Sequence, residues 1–564
     1  MFGYKEKTTA YGLLLIAVLV PLFALGLSNH GLWTPDEPRV AEIGREMALT
    51  GNWAVPTLNR KPFLEKPPLY FWSVALTFRV FHVVSDRVAR IPSAVFGIGG
   101  AVGVFFLAAM LFGPRVGFIS AFVTATSFEY FRAAHWLIVD SALACFVIWA
   151  MTSFMAAYLS QARGRRLLFY IFFYLFCGLA FLSKGLIGLA FPGVGVLVFL
   201  AFEKDLKEIW KMQPWIGIAI LAALSLPWLL ALWHQGGGPY LDVFLLKNNL
   251  LRFLPGGTSG HHKPFYYYFT HLPGSFLPWS ILLVPVLYRS FGRSQGSPAP
   301  SGPGLLFMKC WSVSGFALLS LASTKRGIYL LPILAPFSIL TALWIESILR
   351  SRPPSRGERI FLWGLALVLL GAGLVLGPMT FYLSSEMGFL WAAHAVLVIG
   401  LSGVTLKFLR KAEMDRFWIG THGTVLALLI FVLLWILPPV DRYKSFASFC
   451  REVKEAVGAD TPLYGYKPDE TLRGVVPFYT GRYIEEIGDD RVLADTLSRE
   501  DPVFVVAMDK RGVREREIFS SGRVYLLLDR KVGDRRTCLL FTNRKNRGVK
   551  KDSSWIETTV SERP

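Results

Sequence analysis

Two pairs of charged residues stand out near the start of a chain that is otherwise mostly apolar, Asp36-Glu37 and Glu65-Lys66. Pro38 suits the first position of a helix, because its missing N–H would have no partner there. The dipole of such a helix keeps a carboxylate at its start ionised. An ionised carboxylate in a fixed place can orient a reacting group or accept its proton. The acidic pair is therefore a candidate acid–base site, with helix capping as the alternative explanation.

The pattern after this pair predicts a short amphipathic helix from Pro38 to about Thr50, with Gly51 suited to its end. Its apolar and charged residues fall on opposite sides; they are Val40, Ile43 and Met47, and Arg39, Glu42, Arg45 and Glu46. Such a helix is expected to lie along a membrane surface rather than to cross the membrane. Three prolines surround the second charged pair and fix where its charges point; they are Pro62, Pro67 and Pro68.

The composition is that of a polytopic membrane protein, since 53% of the 564 residues are hydrophobic and 17% are charged. The net charge of +20 comes largely from basic residues in short loops and in the C-terminal part, which favours anionic lipid over nucleic acid as the partner. Lys5 and Lys7 precede the first apolar run, which we interpret as an uncleaved span. The five cysteines form no disulfide framework, although a Cys450–Cys538 bridge stays open.

Apolar runs long enough to cross a bilayer predict about thirteen spans. They lie at 9–28, 88–112, 115–134, 138–159, 167–183, 185–202, 214–234, 273–290, 305–322, 328–349, 359–382, 388–407 and 418–437. An odd number places the two ends of the chain on opposite sides. Basic clusters at 163–166, 350–359 and 407–416 share one side, which the positive-inside rule makes cytoplasmic, as is the N-terminus. Loops 29–87 and 235–272 are then extracytoplasmic.

After Pro438 the composition becomes that of a soluble domain, so we expect a membrane domain at 1–438 and an extracytoplasmic tail at 439–564. A helical pattern covers 445–457. Short β-like runs follow at 462–466, 474–479, 503–508, 523–529 and 537–542. Together they predict a small α/β domain whose end, from about Asn543, is disordered.

Further charged residues are predicted at the outer ends of spans. They are Asp140, Lys184, the run His261-His262-Lys263 and the pair Lys325-Arg326. A charge near the bilayer centre costs about 2.5–3.5 kcal/mol on insertion scales, so such residues usually face a cavity or a partner. Snorkelling to the interface explains any one of them alone. It does not explain why they gather, with the first-loop carboxylates, on one face of the membrane.

Several motifs in a fixed order make the chain resemble a known family. They are PDEPRVAEIGREMALTGNW and FLEKPPLYFW in the first outer loop, VD at 139–140, FLSKG, HHKPFYYYF and TKRGIYLLPILAP. Over its whole length the chain is similar to the aminoarabinose-transferase branch of the GT-C integral-membrane glycosyltransferases, relatives of the protein O-mannosyltransferases. The resemblance implies an α-helical bundle of about thirteen spans, interfacial helices in the first periplasmic loop and a periplasmic α/β tail. It also implies the inner membrane of a bacterium.

The family moves a sugar from a polyprenyl phosphate to an acceptor, with inversion at the anomeric carbon. For this chain the resemblance implies an undecaprenyl phosphate donor, with 4-amino-4-deoxy-L-arabinose as the candidate sugar. It also implies a lipid A or other envelope acceptor, and no nucleotide cofactor. A departing phosphate needs fixed cations in a site of reduced dielectric. The candidate residues are Asp36, Glu37 and Asp140 for catalysis, Lys66, Lys184, Lys263 and Arg326 for the donor phosphate, and Glu65 with His261 or His262 for a divalent metal of the zinc type.

Other functions fit the sequence less well. A transporter or flippase would place its charges near the bilayer midplane, often within internal repeats, whereas here they crowd one face. A sensor or scaffold built around the tail would not need the ordered charges of the first loop. Among acceptors, lipid A phosphate, another envelope glycan and a protein hydroxyl as in O-mannosyl transfer require the same donor machinery, so they stay open.

Overall fold

The computed structural model describes residues 2–250, 263–292, 302–350, 353–383, 388–458, 460–509, 518, 524–533 and 536–544. The chain divides into two compact units. The bundle unit consists of Met1–Leu27, Leu64–Tyr70 and Arg90–Ile436. The tail unit consists of Ser28–Phe63, Phe71–Ala89 and Leu437–Pro564, so it joins most of the first loop to the C-terminal residues.

The first elements in chain order are α1 (Phe2–Ala24), α2 (Glu37–Thr50), β1 (Thr57–Leu58), β2 (Lys61–Pro62), α3 (Leu69–Phe81) and α4 (Asp86–Phe112). The predicted helix after the acidic pair is confirmed as α2, and Gly51 ends it with a φ of 71°, which favours glycine. Both its apolar side and its charged residues Glu42, Arg45 and Glu46 are buried. The charged side of α2 therefore packs against protein within the tail unit.

The bundle unit continues with α5 (Pro114–Thr126), α6 (Phe128–His135), α7 (Val139–Tyr158), α8 (Arg163–Lys184), α9 (Ile187–Phe202), α10 (Glu208–Lys211), α11 (Pro214–Leu241), α12 (Tyr267–Ser275), α13 (Leu283–Phe291), α14 (Pro303–Leu321), α15 (Leu331–Arg350), α16 (Arg356–Leu383), α17 (Gly388–Arg410) and α18 (Met414–Phe431). Within the described residues, ten helical stretches are long and apolar enough to cross a membrane, or eleven if one bent pair counts as a span. The predicted polytopic helical architecture is confirmed.

The count of thirteen continuous spans is not confirmed, because three predicted runs have another form. The run 115–134 breaks at Ser127, whose backbone is extended with φ −68° and ψ 137°. The run 185–202 forms helix α9, whose 16 residues are fewer than a helix needs to cross the hydrocarbon core. The run 273–290 is bent by 116° at the break before Trp279. Hydropathy does not reveal the breaks at Ser127 and before Trp279, because apolar side chains flank both of them.

Two neighbouring helices of the bundle unit carry the central charges. Helix α7 is buried along most of its length and has Asp140 in its first turn. Helix α8 packs against α7 and ends at Lys184, since Gly185 follows with a φ of 75°. Because consecutive helices joined by a short turn run in opposite directions, the start of α7 and the end of α8 lie at the same end of the pair.

The tail unit contains α19 (Leu437–Lys444), α20 (Ala447–Ala456), β3 (Leu463–Tyr466), α21 (Glu470–Thr480), β4 (Glu485–Ile487), α22 (Asp490–Leu497), β5 (Phe504–Asp509), β6 (Tyr525–Lys531) and β7 (Thr537–Thr542). Its sheet has the order β4-β3-β5-β7-β6. Strand β3 is parallel to β4 and β5, whereas β7 is antiparallel to β5 and β6. Val505 and Val506 enter different buried clusters on opposite faces of the sheet. The predicted α/β domain is confirmed.

The prediction of a strand at 474–479 is wrong, because these residues lie in helix α21. The side chain of Asp469 caps this helix by accepting hydrogen bonds from the N–H groups of Thr471 and Leu472. Gly481 ends the helix with a φ of 78°. A short apolar run fits either a strand or a helix, so the capping residues at its two ends distinguish a helix from a strand. The sequence analysis also missed β4 and α22.

The hairpin of β1 and β2 is held within the tail unit by buried polar contacts. Asn59 Nδ2 donates to the Ile484 carbonyl at 2.9 Å, and Asn59 Oδ1 accepts from the Ile484 N–H at 3.0 Å. Lys61 forms an ion pair with Glu486 at 2.6 Å. Burial raises the pKa of Glu486, but hydrogen bonds from Lys61, Asn59 and Arg473 outweigh burial and hold that pKa below its ordinary value.

Candidate functional site

Asp140 and Lys184 form a buried ion pair where α7 begins and α8 ends. Lys184 Nζ donates to Asp140 Oδ1. The Asp140 side chain is 4% exposed and the Lys184 side chain 9%. Lys184 Nζ also lies 3.7 Å from the centroid of the Tyr329 ring, in a cation–π contact. A carboxylate and an aromatic face therefore hold this ammonium group in one place.

A small cavity of about 60 Å³ lies against this lysine within the bundle unit. Two cations, Lys66 and Lys184, form part of its wall. The other lining residues are mostly apolar; they are Leu143, Ile187, Phe191, Asn248, Leu319, Ala322, Thr324 and Tyr329. Two cations in a mostly apolar wall suit the anionic head of an amphiphile where that head joins its lipid chain. The structure thus brings together two of the residues predicted to bind phosphate.

The contact with Lys184 bears on the role of Asp140. A carboxylate that accepts a charge-assisted hydrogen bond from a lysine holds that lysine in place and stabilises its positive charge. Removing one member of a buried ion pair leaves the other charge without compensation, at a cost of about 3–5 kcal/mol. The geometry therefore favours Asp140 as a residue that positions Lys184, in addition to its predicted catalytic role.

The two other predicted phosphate ligands lie in segments that meet through the backbone. Lys263 is exposed, and its N–H donates to the Ser323 carbonyl at 3.5 Å. Lys325 is 3% exposed, and its Nζ donates to the carbonyls of Lys263, at 3.1 Å, and Ala322. Burial lowers the pKa of Lys325. Lys325 thus ties the two segments together, while Arg326 beside it is half-buried.

Asp36 lies in the tail unit and does not act as a side-chain cap of α2. Its Oδ1 accepts from Arg39 Nη2 at 2.5 Å. The other terminal nitrogen of Arg39, Nη1, donates to Glu470 Oε2 at 2.7 Å. Helix capping is therefore not what this aspartate does, and its carboxylate is held by a guanidinium that a second carboxylate also binds.

Glu37, also predicted to be catalytic, is more deeply buried than Asp36. It is 2% exposed, and its Oε2 accepts from the Trp33 N–H at 2.8 Å. The same oxygen lies 3.8 Å from His30 Nδ1. These contacts suit a residue that shapes the turn before α2.

The predicted metal site falls partly outside the described residues, since His261 and His262 are not among them. Glu65 is described and half-buried. Across the described residues, no group of three or more His, Cys, Asp or Glu side chains is placed to hold a metal ion. These donors by themselves do not form a site of the kind that zinc takes, so the zinc-type site stays a prediction.

Comparison with known proteins defines the family. The dolichyl-phosphate-mannose-protein mannosyltransferase family matches residues 65–231. The undecaprenyl phosphate-alpha-4-amino-4-deoxy-L-arabinose arabinosyl transferase of Pectobacterium atrosepticum is 30% identical over 438 residues, which cover 76% of this chain and 75% of that protein. The chain belongs to this arabinosyl transferase family.

Two further matches agree with membership in the arabinosyl transferase family. The Shewanella sediminis protein of the same name is 31% identical over 342 residues, which cover 60% of this chain and 61% of that protein. The crystal structure of ArnT from Cupriavidus metallidurans bound to undecaprenyl phosphate has a TM-score of 0.79 at 21% identity and covers 96% of this chain and all of that chain. The predicted GT-C fold is confirmed. The chain is a glycosyltransferase and a multi-pass protein of the bacterial inner membrane.

Several residues of this arabinosyl transferase family member were not singled out from sequence. Tyr329 stands inside the motif TKRGIYLLPILAP, where only the two basic residues drew attention. Thr324 lies in the same stretch and also lines the cavity. Asn248 lies in the stretch LLKNNLL, which contains no motif that indicates a site. The role of Glu470 was missed because its partner, Arg39, is 431 positions away in the chain.

Proposed function

We propose that the protein transfers 4-amino-4-deoxy-L-arabinose from undecaprenyl phosphate to lipid A or another envelope acceptor on the periplasmic face of the inner membrane. The relatives from Pectobacterium and Shewanella are arabinosyl transferases that carry this sugar and lipid in their names. The solved relative from Cupriavidus contains undecaprenyl phosphate. These names support the choice of donor, and the acceptor class follows from the family.

One observation in this chain carries the proposal. Lys66 and Lys184 line one cavity whose remaining wall is mostly apolar. A sugar-bearing polyprenyl phosphate likewise has a hydrocarbon chain and an anionic phosphate head. In a site of reduced dielectric, two fixed ammonium groups stabilise the negative charge that develops on the departing phosphate. Asp140 supports this function by holding Lys184.

The reaction is an inverting displacement at the anomeric carbon of the sugar. An acceptor oxygen attacks this carbon from the face opposite the phosphate, the new C–O bond forms, and the bond to the phosphate oxygen breaks. The electron pair of that bond leaves with the undecaprenyl phosphate. Where the acceptor is a hydroxyl, or the P–OH group of a phosphate monoester, its proton passes to the Asp36 carboxylate.

Two measurements test this function. Purified protein in lipid vesicles, given undecaprenyl phosphate carrying the sugar together with lipid A, should release undecaprenyl phosphate and form sugar-bearing lipid A. Mass spectrometry of lipid A and envelope glycans from cells with and without the gene should show the same product. If neither lipid A nor any envelope glycan changes, the proposed acceptor class is wrong.

The match to dolichyl-phosphate-mannose-protein mannosyltransferases at residues 65–231 favours a second candidate, transfer to protein hydroxyls. The donor chemistry would be the same, since that family also uses a polyprenyl-linked sugar. Glycoproteomics on the same pair of cells separates the candidates. Gene-dependent sugar on serine or threonine with unchanged lipid A would favour the protein acceptor.

The proposal requires a topology in which the N-terminus is cytoplasmic and the tail is periplasmic, because only a lipid-linked sugar is available outside the cytoplasm. The positive-inside rule supports this orientation. We expect single cysteines at Lys61 and Val492 to be labelled by a membrane-impermeant thiol reagent applied from the periplasmic side. A cysteine at Ser355 should be protected. The five native cysteines lie buried, so they should react little.

The labelled positions are chosen for access. The Lys61 side chain is 60% exposed, Val492 is 51% exposed, and Ser355 is exposed. Solubilising the membrane in detergent should make all three positions react, which controls for local burial. Labelling at Ser355 before solubilisation, with protection of the other two, would invert the topology and make cytosolic nucleotide sugars the accessible donors.

A further inference from the structure

The sheet of the tail unit has the arrangement that binds ligands in many α/β proteins. The chain passes from β3 through α21 to β4 on one side, and then through α22 to β5 on the other side of β3. The carboxyl ends of β3 and β5 therefore flank a topological switch point, the usual place for a ligand in open α/β sheets.

Within the tail unit, the segment 34–39 of the same chain lies at this edge. Glu470 begins α21, just after β3, and its carboxylate binds Arg39 at 2.7 Å. Arg536 precedes the first residue of β7, which pairs with the last residue of β5, and it donates to Thr34 Oγ1. The edge is therefore occupied by the segment that contains Asp36.

The packing at this edge is too close for a larger side chain. A Cβ on Gly474 in α21 would lie 2.5 Å from the carbonyl carbon of Pro38. Upstream, Asp441 Oδ1 accepts from the N–H of Gly31 at 2.8 Å and from Trp33 Nε1 at 2.6 Å. The C-terminal domain, by which we mean the part of the tail unit from Leu437 onward, thus holds the chain on both sides of Asp36.

Arg39 connects this scaffold to the carboxylate. Its guanidinium holds five N–H donors in a rigid plane, of which Nη1 donates to Glu470 and Nη2 to Asp36. The Arg39 side chain is 17% exposed and that of Asp36 12%, so water competes little for this contact. The Glu470 side chain is 43% exposed, so it reaches Arg39 from the more open side. Without Glu470, Nη1 of Arg39 loses this carboxylate partner, and the guanidinium that binds Asp36 is held less firmly.

We propose that Glu470 is a positioning residue for sugar transfer, acting through Arg39 to hold the Asp36 carboxylate in its working orientation. The inference rests on the proposed function, in which Asp36 acts on the acceptor. It assigns the C-terminal domain a scaffold role, with its switch-point edge holding a segment of its own chain in the place of a ligand.

The test compares Glu470→Ala with Glu452→Ala in the full-length protein. Glu452 is a matched control, because it forms an exposed ion pair with Arg530 at 2.8 Å in the same domain and does not contact Arg39. We expect Glu470→Ala to lower kcat roughly tenfold to a hundredfold, with little change in KM for the donor, because misplacement of a reacting group acts on turnover. Glu452→Ala should match the wild type, and Glu470→Gln, whose amide oxygen can still accept from Arg39, should keep part of the rate.

Two further readouts separate positioning from general stability. In an Asp36→Asn background, Glu470→Ala should not lower the residual rate further, since residues that act as a unit are not additive. Hydrogen–deuterium exchange should rise at residues 34–41 in Glu470→Ala and not in Glu452→Ala. A wild-type kcat in Glu470→Ala, multiplied losses in the double variant, or unchanged exchange at 34–41 would each overturn the proposal.

The exchange measurement needs no substrate, so it also separates two kinds of failure. If the wild-type protein does not use the undecaprenyl donor, the proposed function fails. The coupling of Glu470 to the Asp36 segment is still decided by the exchange at 34–41, and unchanged exchange there would refute it on its own.

Discussion

Replacing Asp36 by Asn is expected to abolish sugar transfer while leaving the protein folded in the membrane. The asparagine oxygen can still accept the hydrogen bond that Asp36 Oδ1 receives from Arg39 at 2.5 Å, so the segment keeps its contact. The amide carries no negative charge and cannot take up a proton. Loss of a general base typically lowers the rate by about 10²–10⁴-fold. The rate of product formation with purified protein and undecaprenyl-linked sugar measures the effect.

A control for this variant is Asp495→Asn, an exposed carboxylate of α22 in the same unit. It should transfer sugar at the wild-type rate, and both variants should give the same yield and the same thermal unfolding curve. Near-normal transfer by Asp36→Asn would exclude Asp36 from the chemical step. Loss of folding in Asp36→Asn alone would show instead that the charge is needed to hold Arg39.

The second large effect is expected at the two lysines of the cavity wall. Lys66→Ala and Lys184→Ala each remove a cation that we propose stabilises the departing phosphate. Because this charge grows toward the transition state, turnover should fall as well as donor affinity, by about 10²–10³-fold for one lost stabilising group. Steady-state kinetics with varied donor and fixed acceptor give kcat and KM separately. The exposed Lys411→Ala is the control and should have no effect.

Lys184 requires one additional variant, because its removal leaves Asp140 buried without its ion-pair partner. The double variant Lys184→Ala/Asp140→Ala removes both charges, so it should fold better than Lys184→Ala while staying inactive. Recovery of transfer in the double variant would mean that Lys184 only neutralises Asp140. An effect of either lysine confined to acceptor affinity would mean that the cavity does not hold the donor phosphate.

Local sequence signals predicted those parts of the fold that depend on neighbouring residues. Pro38 and Gly51 marked the ends of α2, since a missing N–H and a positive φ are properties of single residues. The same reasoning failed at 474–479, where a short apolar run was assigned to a strand. The residues that mark a helix there, the capping side chain of Asp469 and the glycine at 481, lie outside the apolar run itself.

Most of the candidate site depends on contacts between distant parts of the chain. Lys66 and Lys184 were predicted to bind the same phosphate because of a resemblance to a family, and only the fold places both on one cavity wall. Asp140 was predicted as a catalytic residue because it is a charge at the end of a span. Its partner, 44 positions later in the chain, became visible only when α7 and α8 were packed together.

By itself, the sequence determined that the chain is a helical membrane protein with a small α/β tail, because hydrocarbon requires long apolar helices and apolar periodicity is local. Only the tertiary structure decided which charges meet. Attraction between two ions depends on their separation and on their burial, and neither can be read from positions along the chain. The pairing of Asp140 with Lys184 and the bridge from Asp36 through Arg39 to Glu470 therefore required the folded protein.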